Sequence, residues 1–267
     1  MHLTGISLRR PLPGTDGAFP FGIPAIRSLP DLRLDTPVTL LVGENGSGKS
    51  TLLEAIAIGA RLPTAGASEA GDDPTLAGPR TLAGHLRLSW STRRHRGFYL
   101  RAEDFFGFAR RIADMRSGLE RELAAVDAAY ADRPGLAHEL ARTPLVREIG
   151  ELEARYGAGL DARSHGEAFL AFFGARAVAG GLYLLDEPEA PLSPSRQLAL
   201  IALVREMVAS DCQLIIATHS PLLLAFPGAA IWSFDHEPVR RVAYEDLEHV
   251  RLTRDFLADP EAFLRHL

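Results

Sequence analysis

The alternation of apolar and polar positions changes character several times along the 267 residues. Residues 1–42 are punctuated by Pro11, Pro13, Gly14, Pro20 and Pro24, which predicts short strands and turns. Val38-Thr39-Leu40-Leu41-Val42 is a compact β-branched run, suited to a buried strand. A helical period follows from Ser50, with Leu52, Leu53, Ile56 and Ala60 on one face. Residues 62–84 are rich in Pro, Gly, Ala and Asp and predict a long loop. His85 to Arg101 alternates around the basic cluster Arg93, Arg94, His95 and Arg96. Between about 105 and 158 the period is helical again. Ile112, Met115, Leu119, Leu123 and Val126 form a stripe expected to be buried, and Arg133-Pro134-Gly135 interrupts the pattern.

Further on, the pattern predicts a helix over 165–178, an apolar strand from Leu182 to Leu185 and a helix over about 194–209. The strand Leu214-Ile215-Ile216-Ala217 comes next, and from Ile231 a hairpin precedes two short helices. Strands alternating with helices imply an α/β fold with a mostly parallel sheet covered on its faces. The simplest organisation is a single domain over 1–267 with a small helical lobe, 105–158, inserted in it.

Composition narrows the chemistry. Hydrophobic residues make up 46% of the chain and charged residues 24%, enough apolar material for a sizeable core. A net charge of −5 argues against coating nucleic acid by bulk charge, while leaving room for a local basic groove. The single cysteine, Cys212, permits no internal disulfide and no paired-cysteine zinc site. The sequence shows no apolar run long enough to span a membrane and no apolar leader segment near Met1, so a reducing, cytoplasmic setting is expected. Of the 29 cationic side chains only Lys49 is a lysine. A lysine-rich patch is thereby excluded, as is the Asn-Lys-x-Asp motif that reads guanine.

That one lysine lies in Gly43-Glu44-Asn45-Gly46-Ser47-Gly48-Lys49-Ser50, followed by Thr51, between the predicted strand and helix. The segment satisfies G-x-x-x-x-G-K-[ST] in full and in the right context. Glycines let a loop fold around an anion with successive backbone N–H groups pointing inward. The helix beginning there adds its positive dipole end. Lys49 brings a compact ammonium to β- and γ-phosphates, where a planar guanidinium would not fit. Ser50 offers a hydroxyl to Mg²⁺.

Leu182-Tyr183-Leu184-Leu185 delivers two carboxylates, Asp186 and Glu187, to a strand end, where ligands of open α/β sheets bind. Asp186 is suited to Mg²⁺ and Glu187 to orienting or deprotonating a water. The same pair also fits acidic capping residues before Pro188. His219 stands at the end of the next apolar strand, as a γ-phosphate contact or as a structural histidine.

In this order the motifs resemble a nucleotide-binding domain of the ABC-type ATPases. Leu185-Asp186-Glu187-Pro188 and Ala217-Thr218-His219-Ser220 match its strand ends, and Ser164-His165-Gly166-Glu167 stands at its signature position. Arg101-Ala102-Glu103 and Asp186-Glu187-Pro188-Glu189 look more specifically like standalone bacterial ATPases. The resemblance implies a P-loop NTPase fold with a mixed, mostly parallel sheet, a helical lobe and an N-terminal antiparallel β portion. It also implies ATP and Mg²⁺ as ligands, with Ser164, Gly166 and Glu167 contacting nucleotide held by a second copy in a homodimer. Ser164 and Glu167 equally form an S-x-x-E capping box that needs no ligand.

Four departures from the pattern stand out, one being Glu167 in place of the signature's final glutamine. His165 replaces a glycine. Ala190-Pro191-Leu192-Ser193 replaces the segment that transporter cassettes carry. The only glutamines, Gln197 and Gln213, both follow the acidic strand, so Glu103 is the stand-in for the family's magnesium-contacting glutamine. These departures favour an ATP-driven switch or clamp of the repair or defence kind over the energy-coupling subunit of a transporter. A separate nuclease domain has no room in the chain. Nucleic acid is a conceivable partner through Arg93, Arg94, Arg96, Phe98 and Tyr99, although those residues also suit a solvated strand end beside core aromatics.

Overall fold

The structure is a computed structural model and describes residues 2–10, 12, 18–64, 77–92, 96–132, 135–156 and 165–265. In chain order the elements begin with β1 (Leu3–Leu8), α1 (Pro24–Arg27), β2 (Leu32–Arg33), β3 (Val38–Val42) and α2 (Lys49–Ala60). Then come α3 (Ala77–His85), β4 (Leu86–Trp90), β5 (Gly97–Arg101), α4 (Ala102–Ala129), α5 (Leu136–Tyr156) and α6 (His165–Arg176). The last part holds β6 (Leu182–Asp186), α7 (Pro194–Ala209), β7 (Gln213–Ala217), α8 (Pro221–Leu224), β8 (Ala230–Ser233), β9 (Arg240–Val242), α9 (Glu248–Ala258) and α10 (Pro260–Leu264).

Two compact units result: Met1–Ala102 with Val178–Leu267, and Glu103–Ala177. In the first, six strands run in the order β5-β6-β7-β3-β8-β9 and three in the order β2-β1-β4. The larger sheet is parallel except for the hairpin of β8 and β9, and the smaller is antiparallel throughout. Every residue of β3, β6 and β7 is buried. A strand enclosed on both faces has no polar side to alternate with, and for that reason these segments read as continuous apolar runs. Their C-terminal ends, at Val42, Asp186 and Ala217, lie along one edge of the sheet.

Within residues 62–84, expected to be a loop, the structure forms α3. Pro79 sits in its first turn, where the missing N–H would have had no helical partner. Leu82 is fully buried, and α3 packs on α2. Packing thus outweighs a composition that favours loops.

In the second unit, α4 and α5 pair through Arg116 with Glu153 at 2.9 Å and Asp127 with His138 at 2.7 Å. The stripe expected to be buried is not: Met115 is exposed, and Ile112, Leu119, Leu123 and Val126 are half-buried. The apolar centre of this unit lies instead at Phe105, Phe169, Phe172 and Phe173. Phe105 meets Phe169 edge-on at 5.1 Å.

The two sheets of the first unit are tied by Gln213, which is completely buried. Its Oε1 accepts from the backbone N–H groups of His2 and Leu3, each at 2.9 Å, and its Nε2 donates to Leu3 O at 2.7 Å. Gln213→Leu keeps the approximate volume and strands three buried backbone groups. The expected loss is about 3 kcal/mol, read as a lower urea midpoint. An unchanged midpoint would show that the sheets are held together elsewhere.

Candidate functional site

The phosphate loop leaves β3 at Gly43 and enters α2 at Lys49. Gly48 has φ +103°, and a Cβ there would meet Ile26 and Ile23 side-chain atoms at 3.0–3.3 Å. Only glycine suits a left-handed backbone pressed against that apolar wall. Gly43 is confined in the same way, its place for a Cβ lying 2.9 Å from Phe234. These constraints hold the loop closed over the N-terminus of α2. Lys49 is almost fully buried, and its Nζ donates to Gly43 O at 2.5 Å and Glu44 O at 2.9 Å. Burial lowers its pKa, against the raising influence of Glu187 and Asp186.

At the end of β6, Asp186 accepts from Ser50 Oγ at 3.1 Å and from the Tyr99 hydroxyl at 3.4 Å. Arg101 Nε donates to Tyr99 Oη at 2.9 Å, and Arg101 is ion-paired with Glu54 of α2. Glu54 lies one helical turn beyond Ser50, so this chain of contacts closes back on the phosphate-loop helix. Burial pushes the Asp186 carboxyl up to about 6. That makes it an acid short of positive charge. A cation fits here: Ser50 and Asp186 present hard oxygens, and Mg²⁺ prefers one or two protein ligands completed by phosphate and water. Among the described residues no three His, Cys, Asp or Glu side chains form a cage for a metal.

Glu187 has φ +48°, an uncommon backbone for a non-glycine residue. Its N–H donates to Ala217 O at 2.9 Å, and its Oε1 lies 3.6 Å from His219 Nε2. His219 itself is placed by Glu189, whose Oε1 accepts from Thr218 Oγ1 at 2.7 Å, His219 N at 2.7 Å and Ser220 N at 3.1 Å. Ser220 donates to Gln197 at 2.6 Å and caps α8. Both glutamines of the chain are thus internal ties.

The structure brings together residues 43–51 with Asp186, Glu187 and His219. It does not show the rest of the predicted set joined to them. Ser164 lies outside the described residues. Gly166 is buried and Glu167 exposed on α6 of the second unit. Glu103 is the second residue of α4, and its side chain lies outside the described residues. Ser193 precedes α7, with its hydroxyl 3.1 Å from that of Ser195. Phe98 and Tyr99 are buried and cannot stack on nucleic-acid bases, while Arg93 and Arg94 lie outside the described residues. The sequence reading missed Glu54, Tyr99, Arg101, Glu189 and Asp235 as parts of this site. Asp235, two residues past β8, accepts from Glu44 N at 2.6 Å. Arg101 and Glu189 did stand in the two runs that carry the narrower resemblance, and Tyr99 was read only as a base-stacking or core aromatic.

Two family models match parts of the chain. A family model described as an AAA domain matches residues 22–69, which carry the phosphate loop. A second, described as "AAA domain, putative AbiEii toxin, Type IV TA system", matches residues 167–225, which carry Asp186, Glu187 and His219. No curated protein matches the sequence. Solved structures with similarity include a putative metal-chelate type ABC transporter in an inward-facing conformation. It is 16% identical, with 96% of this chain and 89% of that one covered and a TM-score of 0.48. The Smc head domain of Pyrococcus furiosus bound to the C-terminal domain of ScpA is 13% identical, with 96% and 99% covered and a TM-score of 0.44. The SMC head domain of Thermotoga maritima is also 13% identical, with 91% and 99% covered and a TM-score of 0.44. With the sheet order and the phosphate loop, the two segments that match AAA-domain models give the chain a P-loop ATPase fold. Its fold is one that supports nucleotide binding and hydrolysis. None of the described helices is long and apolar enough to cross a membrane.

The raised Asp186 pKa sets a pH dependence. Unfolded, the carboxyl ionises near 3.8; folded, near 6. Between those values the folded chain holds a proton that the unfolded chain has released, so stability falls as pH rises through the window and levels off above about 6. Asp186→Asn has no such proton to lose. Relative to the native protein without ligand, its stability should increase by about 2 kcal/mol from pH 4 to pH 7. Melting curves at several pH values measure this, and a constant difference would contradict the raised pKa.

Proposed function

We propose that the chain is a standalone Mg²⁺-dependent ATPase whose hydrolysis set is Lys49, Ser50, Asp186, Glu187 and His219. The observation that carries this reading is their convergence at the ends of three adjacent parallel strands, around the glycine-rich loop that leads from β3 into α2. The backbone N–H groups of residues 46–51 and the Lys49 ammonium bind the β- and γ-phosphates. On binding, Lys49 exchanges its two carbonyl partners for phosphate oxygens. Ser50 and Asp186 would hold Mg²⁺, which supplies charge neutralisation to the phosphates when bound. Glu187 accepts a proton from a water as its oxygen attacks the γ-phosphorus. The bond from that phosphorus to the β-phosphate oxygen breaks, leaving ADP and phosphate. His219, held from behind by Glu189, faces the terminal phosphate.

Two copies are proposed to assemble head to tail on ATP, with Ser164, Gly166 and Glu167 of each reaching the nucleotide on the other. This makes the chain one ATPase domain over 1–267 with an inserted helical lobe, acting as a switch or clamp in a process such as repair or defence. Glu103 is proposed to take the place of the magnesium-contacting glutamine. Gln197 and Gln213 cannot take that role, since each is committed to internal hydrogen bonds. The energy-coupling subunit of a transporter would be revealed by a permease that co-purifies with the chain.

Glu187→Gln should bind ATP without splitting it and double its mass in solution with Mg-ATP. A monomer with and without nucleotide would sink the dimer. Lys49→Arg, conservative in charge, should lower steady-state ATP turnover roughly a hundredfold or more, because a planar fork cannot occupy a hole shaped for an ammonium. Near-normal turnover would mean that Lys49 does not neutralise the phosphates.

A further inference from the structure

Beside the phosphate loop lies a cavity of about 1130 Å³ lined in part by Glu44, Asp235, Arg240, His249 and Arg251. It joins the phosphate loop to the C-terminal elements, which the hydrolysis set above does not use. Two hydrogen bonds fix the junction. Asp235 Oδ1 accepts from Glu44 N at 2.6 Å, and the Tyr244 hydroxyl donates to Pro221 O at 3.2 Å. The second bond docks the segment that leads into α9 on the turn carrying His219, and α9 packs on α8 directly after that turn. His249 is the second residue of α9.

Ser47 Oγ, His219 Nε2 and His249 Nε2 are buried without a hydrogen-bond partner among the described residues; of the three residues only His249 lines the cavity, and His219 Nε2 lies 3.6 Å from Glu187 Oε1. A buried polar atom left unpaired costs free energy, so His249 Nε2, at the wall of a cavity that reaches Glu44 of the loop, calls for a polar guest to complete it. Ser47 belongs to the loop and His219 to the proposed hydrolysis set. His249 belongs to neither. Burial holds its imidazole below its ordinary pKa, the His219 charge adds to that, and Asp235 opposes it. A neutral ring can present an N–H donor to a phosphate oxygen without carrying a permanent charge into the pocket.

We propose that His249 is a further ligand-contacting residue of this site, donating from Nε2 to the terminal phosphate of ATP. The inference rests on the nucleotide reading given above. Its signature is selectivity, because ADP lacks the group that His249 would touch. Calorimetry with the full chain, using Mg-AMP-PNP and Mg-ADP, reads it directly. His249→Ala should weaken AMP-PNP binding about tenfold, the scale of a hydrogen bond to a charged group, and leave ADP binding and the melting temperature unchanged. His249→Gln, which keeps an N–H donor, should restore part of the difference. If the alanine variant melts early, His249→Phe fills the space without the nitrogen and should show the same selective loss. Equal weakening of both nucleotides, or of neither, overturns the proposal. Lys49→Ala separates the two readings: if it abolishes binding while His249→Ala has no selective effect, the nucleotide site stands and only the role of His249 falls. If the native chain binds neither nucleotide, both fall together.

Discussion

The site depends on two charges placed where water cannot reach them well. The Lys49 ammonium and the Asp186 carboxylate both end up in the apolar interior created by β3, β6 and β7. Neither is properly compensated by the protein itself. Lys49 has two backbone carbonyls, and Asp186 has a hydroxyl from Ser50 and a phenol from Tyr99. An interior of low polarisability magnifies that deficit. It lowers one pKa and raises the other, and so favours any guest that brings phosphate oxygens to the lysine and positive charge to the aspartate. The same burial that makes the sheet a core gives the site its demand for ligand.

The rest of the structure keeps those charges in place. Glu54, Arg101 and Tyr99 run from the phosphate-loop helix to Asp186, so the positions of the hydroxyl and the carboxylate are coupled. Glu189 uses one oxygen to collect three donors from the turn at His219. Its carboxylate fixes the backbone there and leaves the imidazole to meet Glu187, with Nε2 3.6 Å from Glu187 Oε1. On the other side, Asp235 holds the N–H of Glu44 and anchors the beginning of the loop. Each contact is ordinary in strength, and preorganisation comes from their arrangement around one small volume.

How much of this could be read in the chain divides by sequence distance. The buried strands, the phosphate loop, the paired carboxylates and His219 are contiguous patterns, and contiguous patterns show their periodicity and context. Gln213 could not be assigned from sequence, because its partners are His2 and Leu3 at the other end of the chain. Nor could the pairing of Arg101 with Glu54, or of Glu189 with the His219 turn, since no local spacing marks them. Tyr99 illustrates the difficulty most clearly. In the alternation of residues 85–101 it suits an exposed aromatic as well as a core one, and only the register of β5 on β6, with Tyr99 opposite Leu184, settles that it is buried behind Asp186. The helix α3 escaped for a different reason: its stability lies in Leu82 packing on α2, not in its own composition.

Glu187 shows how the fold concentrates strain where chemistry is expected. Its left-handed backbone would be relieved by a glycine, which a carboxylate function forbids. The conformation is tolerated because the Glu187 N–H is held by Ala217 O, one strand over, and because Ala190 N donates to the Glu187 carbonyl. The turn is therefore pinned at both of its backbone polar groups while the side chain remains half-exposed beside His219. A rigid main chain with a free carboxylate is what a base needs: its position is set by the sheet, and its oxygen can still follow a proton. His219 Nε2, 3.6 Å from Glu187 Oε1 and without a hydrogen bond of its own among the described residues, shares that freedom on the same side of the turn.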